Sequence, residues 1–283
     1  MLNELLEMKK DLELKGYSQN TIEAYLLYSK LFSQYYQTPP AQLGINEVRN
    51  YLHYLITRKK CSSSYVNVTY SALKYLFTNI LDKPWDEKKL PRMKRNKTLP
   101  VILSPDEVNN IFSVTTNLKH KAILMTIYSA GLRISEANTL LIQDIDSDSM
   151  QIRIRNAKGK KDRYTLLSKA NLNILRKYWK SYQPKHWLFP GVPDTNPLSA
   201  RSIQRIFKDN LRKAGINKDA TVHTLRHCFA THLLEKKVDI FHIQQLLGHA
   251  SPQTTAKYIH LTRKNILNIK SPLDIIMECD TND

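Results

Sequence analysis

The stretch from Pro84 to Pro100 limits what this chain can fold into. It holds Pro84, Pro91 and Pro100 among a basic cluster of Lys88, Lys89, Arg92, Lys94, Arg95 and Lys97. Proline removes a backbone donor and clashes with the preceding helical turn, and like charges repel one another. A segment built this way resists helix and compaction alike. It divides the chain into a module over 1–83 and a larger one over 101–283, joined by a basic linker over 84–100. At 283 residues there is enough chain for two cores. The linker is either a solvated strap or a phosphate contact, and on a chain this basic the second reading is preferred.

Upstream of the linker the apolar residues repeat with helical spacing. Leu2, Leu5, Leu6, Met8, Leu12 and Leu14 form one such run, stopped by Gly16. Ser18 can cap a second helix through 37, carrying Ile22, Tyr25, Leu26, Tyr28 and Phe32. Pro39 and Pro40 break it. A third helix opens near Asn46 and runs to 60, and the serines at 62–64 open a fourth through 81. The outcome is a four-helix, basic, tyrosine-rich module. Its tyrosines read first as half-buried helix faces and second as base-stacking groups.

The larger module opens at Ser104-Pro105-Asp106-Glu107, a capping serine, a proline at the first helical position and a glutamate at the third. A second helix over 119–130 is apolar enough for a core and stops at Gly131. Segments 150–154 and 163–167 alternate like strands across a turn over 156–162. Helical patterns return over 168–181, 199–214, 221–234 and 239–247. The fold class is mainly α with one small antiparallel sheet.

A formal net charge of +18 favours a polyanionic partner, because each neutralised phosphate releases condensed counterions. No run of 18 apolar residues appears, so no membrane span is expected. The first ten residues carry acids and a helical repeat, unlike a secretory signal. Cys61, Cys228 and Cys279 are far apart and odd in number, which fits a reducing cytoplasm and offers no Cys-x-x-Cys site.

The chemistry-bearing residues concentrate between His223 and Tyr258. The window holds His223-Thr-Leu-Arg226-His227, then Leu247-Gly248-His249, then Tyr258. Arg226 sits inside an apolar run, where a cation on a buried face needs a partner. Arg133 follows Gly131-Leu132, with Glu136 three residues on, a spacing that more often marks a surface ion pair. Two guanidiniums can hold the non-bridging oxygens of one phosphate and stabilise the charge of a pentacoordinate phosphorus. Lys158 stands beside Gly159 in the hairpin turn. It is either a solvated tip or a general acid for a leaving 5′-oxygen, its pKa lowered by the two arginines. His223 and His227 are four apart, a spacing that can also bind zinc, but no HExxH or third ligand accompanies them. A phenol titrates near pH 10 in isolation, so Tyr258 attacks only if a neighbour takes its proton or the phosphate is strongly electrophilic.

These segments resemble the tyrosine recombinases of the phage-integrase and Xer class. The likeness is carried by Ala130-Gly-Leu-Arg-Ile-Ser-Glu136, Ala157-Lys-Gly-Lys-Lys-Asp-Arg163, His223-Thr-Leu-Arg-His-Cys-Phe-Ala-Thr-His-Leu-Leu234, Leu246-Leu-Gly-His249 and Tyr258. It extends to Gly16-Tyr-Ser-Gln-Asn-Thr-Ile-Glu-Ala-Tyr25 and so covers nearly the whole chain. The resemblance implies a SAM-like core-binding domain followed by a catalytic domain with a C-terminal exchange tail. It implies that Arg133 and Arg226 bind the scissile phosphate, Lys158 is the leaving-group acid and His223 assists proton transfer. His249 becomes a further phosphate donor, and Tyr258 the nucleophile of a 3′-phosphotyrosyl intermediate. Further implications are double-stranded DNA with inverted-repeat sites as partner, a homotetramer in the synapse, a clamp of two domains around the duplex, no metal and no cofactor. Trp187-Leu-Phe-Pro-Gly191, Pro197-Leu-Ser199 and Lys270-Ser-Pro-Leu-Asp274 look closer to integron-type and transposon-associated integrases. The stretch between Leu188 and His223 is too short for the integron insertion, which favours a mobile-element integrase on duplex sites. Xer-like resolution of replicon dimers and a non-catalytic DNA-binding protein of the same fold are the alternatives. A metal-dependent nuclease using His223 and His227 is a further rival.

Overall fold

The computed structural model describes residues 2–94, 100–157, 161–249, 251–256 and 258. The chain divides into two compact units, residues 1–98 and 99–283.

The first unit is a helical bundle of α1 (Leu2–Leu14), α2 (Gln19–Tyr36), α3 (Ile45–Thr57) and α4 (Ser63–Tyr75). Each boundary has a local cause. Gly16 takes a left-handed φ of 68° after α1. Ser18 and Ser62 accept from the backbone N–H groups of Thr21 and Tyr65, each capping the helix that follows. The third helix starts one residue before Asn46 because Glu47 reaches back to the backbone N–H of Gly44 (2.8 Å). The fourth does not run evenly to 81; Leu76–Ile80 widen into a π turn that keeps Leu76 and Phe77 buried.

Met8, Leu12, Phe32, Val48, Leu73, Leu76 and Phe77 fill the core of this unit. Tyr51, Tyr70 and Tyr75 are buried with them, whereas Tyr17 and Tyr35 are exposed. Residues 84–93, part of the proline-rich stretch, lie against this bundle. Leu90 is 2% exposed, Trp85 Nε1 donates to Tyr70 Oη (3.0 Å), and Asn67 Nδ2 donates to the Met93 carbonyl (2.9 Å). Proline excludes helix here without excluding burial.

The second unit is mainly helical around a three-stranded antiparallel sheet of order β1-β2-β3. Its elements are α5 (Pro105–Val114), α6 (Leu118–Ser129), α7 (Ile134–Asn138), β1 (Ile145–Asp146), β2 (Gln151–Ala157), β3 (Lys161–Leu166), α8 (Lys169–Tyr182), α9 (Ala200–Lys213), α10 (Val222–Glu235), α11 (Ile240–Leu247) and α12 (Pro252–Ala256). Ser104 and Glu107 form the reciprocal cap of α5 (3.1 and 2.7 Å), a motif whose serine contributes about 1 kcal/mol.

The β2–β3 register pairs Ile152 with Thr165 and Ile154 with Arg163, with an irregularity between Ile154 and Ala157. Side chains alternate across a strand, so Ile152 and Ile154 enter the core while Arg153 faces out to Asp162. The helices α6 and α10 both contribute to this core, whose buried residues include Ile123, Ile127, Leu225 and Cys228. A smaller cluster of Phe229, Ala230, Ile243, Leu247 and Tyr258 lies beside it. Among the described residues no helix is long and apolar enough to cross a membrane.

Candidate active site

The site begins where α6 stops. Gly131 takes a left-handed φ of 61°, and a Cβ there would lie 2.4 Å from Phe229 Cδ1, so only glycine fits between α6 and α10 without strain. The turn puts Arg133 at the start of α7. Its backbone N–H and its Nη1 both donate to the Glu136 carboxylate at 2.7 Å.

Glu136 is only 8% exposed, and it binds more than Arg133. From β3, Arg163 approaches as a fork, Nη1 and Nη2 each 2.8 Å from a different carboxylate oxygen. Arg226 Nη1 from α10 lies 3.6 Å from Oε2. One carboxylate thus serves three guanidiniums drawn from three elements. Burial raises its pKa, but the bonds and charge of Arg163 and Arg133 outweigh that and hold it down to about 2. The pair that spacing marks as superficial is an internal hub. Arg163 also donates to the Leu246 carbonyl (3.1 Å) and lies against Gly248, where a Cβ would meet its Cδ at 2.6 Å. It ties the hub to the turn that carries His249.

Among the described residues Arg226 is one of the largest fully buried side chains, 1% exposed. Nη1 donates to the Gly131 carbonyl and Nη2 to the Leu247 carbonyl, both at 2.6 Å. Nη2 also lies 3.2 Å from His249 Nε2. A guanidinium has donors only, so Nε2 accepts, and His249 Nδ1 carries the proton given to Thr255 Oγ1 (2.8 Å). Burial first, then the charge of Arg133, pushes the Arg226 pKa down to about 10, which still leaves it charged at neutral pH. Its apolar helix face met the need for partners with carbonyls as well as with a carboxylate.

Tyr258 follows α12 and is 1% exposed. Its backbone N–H donates to the Thr255 carbonyl (2.9 Å), so the turn after α12 sets its position. Its ring lies nearly parallel to His249, with centroids 6.4 Å apart and 11° between planes. Its Oη is 2.9 Å from His227 Nδ1. Burial raises the phenol pKa, and the charges of Arg226 and Arg133 act against that rise. His223, one turn before His227 on α10, sets its ring edge-on to the His227 ring with centroids 4.4 Å apart.

Arg133, His223, Arg226, His249 and Tyr258 therefore converge from α7, α10, the α11 turn and the α12 turn. Lys158 lies outside the described residues. Three participants were not singled out as site residues by sequence. Spacing presents Glu136 as a partner for Arg133 and His227 as a zinc-ligand candidate, and Arg163 closes the Ala157–Arg163 motif at the start of a strand without an assigned role. Among the described residues no three His, Cys, Asp or Glu side chains group as metal ligands.

Residues 102–265 match the phage integrase family, and residues 5–87 match the phage integrase N-terminal SAM-like domain. A putative integrase/recombinase of Sinorhizobium fredii is 39% identical over 270 residues, covering 95% of this chain and 88% of that protein. Tyrosine recombinase XerA of Pyrococcus horikoshii is 38% identical over 269 residues, covering 93% and 90%. The crystal structure of a lambda integrase tetramer bound to a Holliday junction superposes with a TM-score of 0.74 at 18% identity, covering 90% of this chain and 76% of that one.

Proposed function

The chain belongs to the phage integrase family of tyrosine recombinases, enzymes that cleave and rejoin DNA, and on that premise we propose that Tyr258 is its nucleophile and Arg133 and Arg226 its phosphate clamp. The observation that carries this reading is the placement of a buried phenol beside two histidines and a buried, multiply bonded arginine. Tyr258 Oη attacks the scissile phosphorus, the bond to the 5′-oxygen breaks, and a 3′-phosphotyrosyl bond stores the energy for rejoining. Charge builds on the non-bridging oxygens as phosphorus becomes pentacoordinate. Arg226 is already desolvated and bonded on two sides, so it meets that charge with little reorganisation. Lys158 protonates the leaving 5′-oxygen, and His223 assists proton transfer. His249 supports the clamp through Arg226; donating to phosphate itself requires that it gain a proton or exchange that contact. The chemistry needs no metal and no cofactor.

The net charge of +18 supports a polyanionic partner, which on the family reading is duplex DNA. We assign it inverted-repeat sites and a tetrameric synapse, in line with the lambda integrase tetramer on a Holliday junction. The preferred role is movement or integration of a mobile element. The identity to an archaeal XerA supports a second reading, resolution of replicon dimers.

Incubating the protein with sheared genomic DNA, denaturing with SDS and sequencing the covalently held DNA tests both. Recovery of the ends of a mobile element supports the first role, and recovery of one dimer-resolution site supports the second. Tyr258→Phe is expected to bind DNA and trap none. If it traps as much as the parent, Tyr258 is not the nucleophile. Loss of DNA cleavage in EDTA, with no covalent DNA trapped, would favour the metal-dependent nuclease.

A further inference from the structure

The proton of Tyr258 needs a destination, and the structure offers one that the family resemblance does not assign. We propose that His227 is a catalytic residue, the general base that takes the Tyr258 proton through Nδ1, while His223 acts beside it. This rests on Tyr258 being the nucleophile.

Three observations carry it. His227 Nδ1 is 2.9 Å from Tyr258 Oη, inside the reach required for direct transfer. The contact is set by backbone on both sides, since His227 is held in the middle of α10 and Tyr258 is fixed by its bond to the Thr255 carbonyl. The phenol is buried, so bulk water is a poor acceptor for its proton. In the neutral tautomer with its proton on Nε2, His227 presents the Nδ1 lone pair to the phenol. Among the described residues, the groups around this pair include His223 on the same helix, His249 beside the Tyr258 ring, and Arg226 and Arg133, whose charges act on the phenol.

The step balances without another reactant. The O–H bond of Tyr258 breaks and its proton passes to Nδ1, giving an imidazolium. The phenolate oxygen forms the bond to phosphorus, and the 5′-oxygen leaves with the electron pair of the broken bond and a proton from the general acid. In rejoining, the 5′-hydroxyl attacks, the phenolate leaves, and the imidazolium returns its proton. Cationic His227 also faces the phenol at the stage when that oxygen must become a leaving group.

The test is single-turnover cleavage of a trapped target carrying either the natural 5′-oxygen or a 5′-bridging sulfur at the scissile position. A thiolate leaves without a proton, so the sulfur substrate removes the need for the acid and retains the need for the base. His227→Gln is expected to bind DNA within about threefold of the parent and to cleave on the order of 100-fold or more slowly at pH 7. The defect persists on the sulfur substrate and shrinks as the pH rises toward the range where a phenol ionises unaided. Lys158→Ala, in contrast, is rescued by sulfur.

The parent itself supplies a measurement free of folding effects. On the sulfur substrate its rate falls about tenfold per pH unit once the base is protonated, and that inflection survives in His223→Gln whatever its rate. A His227→Gln rate within about threefold of the parent with an unchanged pH profile overturns the proposal. So does rescue of His227→Gln by sulfur, absence of the inflection in the parent, or its loss in His223→Gln. Adduct formation by Tyr258→Phe instead removes the nucleophile assignment on which the proposal stands.

Discussion

Replacing Glu136 by glutamine removes one negative charge and leaves the side-chain volume almost unchanged. The structure sets the size of the effect. Glu136 faces Arg133 and Arg163 at 2.7–2.8 Å and Arg226 at 3.6 Å, and both Glu136 and Arg226 are buried. Its pKa, held to about 2 in the fold, is 4.5 in the reference state. At 1.36 kcal/mol per unit, that difference corresponds to about 3 kcal/mol of stability at neutral pH. Breaking a buried ion pair from one side costs about 3–5 kcal/mol, which agrees.

The pH dependence has a defined sign. A depressed carboxyl pKa contributes fully above the unfolded value and loses its contribution as pH falls from about 4.5 through about 2. Urea unfolding of parent and Glu136→Gln therefore shows a gap of about 3 kcal/mol at pH 7, and roughly half of that or less at pH 3. In a thermal scan the pH 7 gap is on the order of 6–12 °C for a unit of this size. A gap below about 1 kcal/mol at pH 7, or one that does not narrow at pH 3, refutes the view that one carboxylate organises three arginines.

Two further substitutions probe the same framework. Arg163→Met removes both bonds to Glu136 and the bond to the Leu246 carbonyl; it is expected to slow cleavage while leaving DNA affinity nearly intact. In a double-mutant cycle with Glu136→Gln its coupling exceeds about 1 kcal/mol, and additive effects would contradict the fork geometry. Gly131→Ala combines a left-handed φ with a Cβ 2.4 Å from Phe229 Cδ1. It is expected to cost about 2–5 kcal/mol in denaturant unfolding, and a loss under about 1 kcal/mol would show that α6 and α10 are less tightly opposed.

Much of this arrangement could be read from local chemistry. The serines at 18, 62 and 104 cap the helices they precede, and the alternation around 151–166 produces the hairpin. Arg226 in an apolar run signalled a buried cation, and the structure supplies its carbonyl partners. What local patterns could not give is convergence. Glu136 and Arg163 are far apart in sequence, and only the β2–β3 register turns Arg163 toward α7. The helix Ile134–Asn138 and the strand Ile145–Asp146 are too short for any periodicity. His227 stands next to Arg226 in the His223–Leu234 motif, but its neighbour in space, Tyr258, is 31 residues on. Trp85 and Leu90 were obscured by prolines that forbid helix and permit packing.

The central claim is that the phosphodiester passes to one tyrosine. Digesting the covalent DNA complex with nuclease and protease and locating the residual nucleotide by mass spectrometry tests it directly. A nucleotide joined through its 3′-phosphate to Tyr258, formed equally in the presence of EDTA, is the expected result. A nucleotide on any other residue, or linkage through a 5′-phosphate, would contradict it.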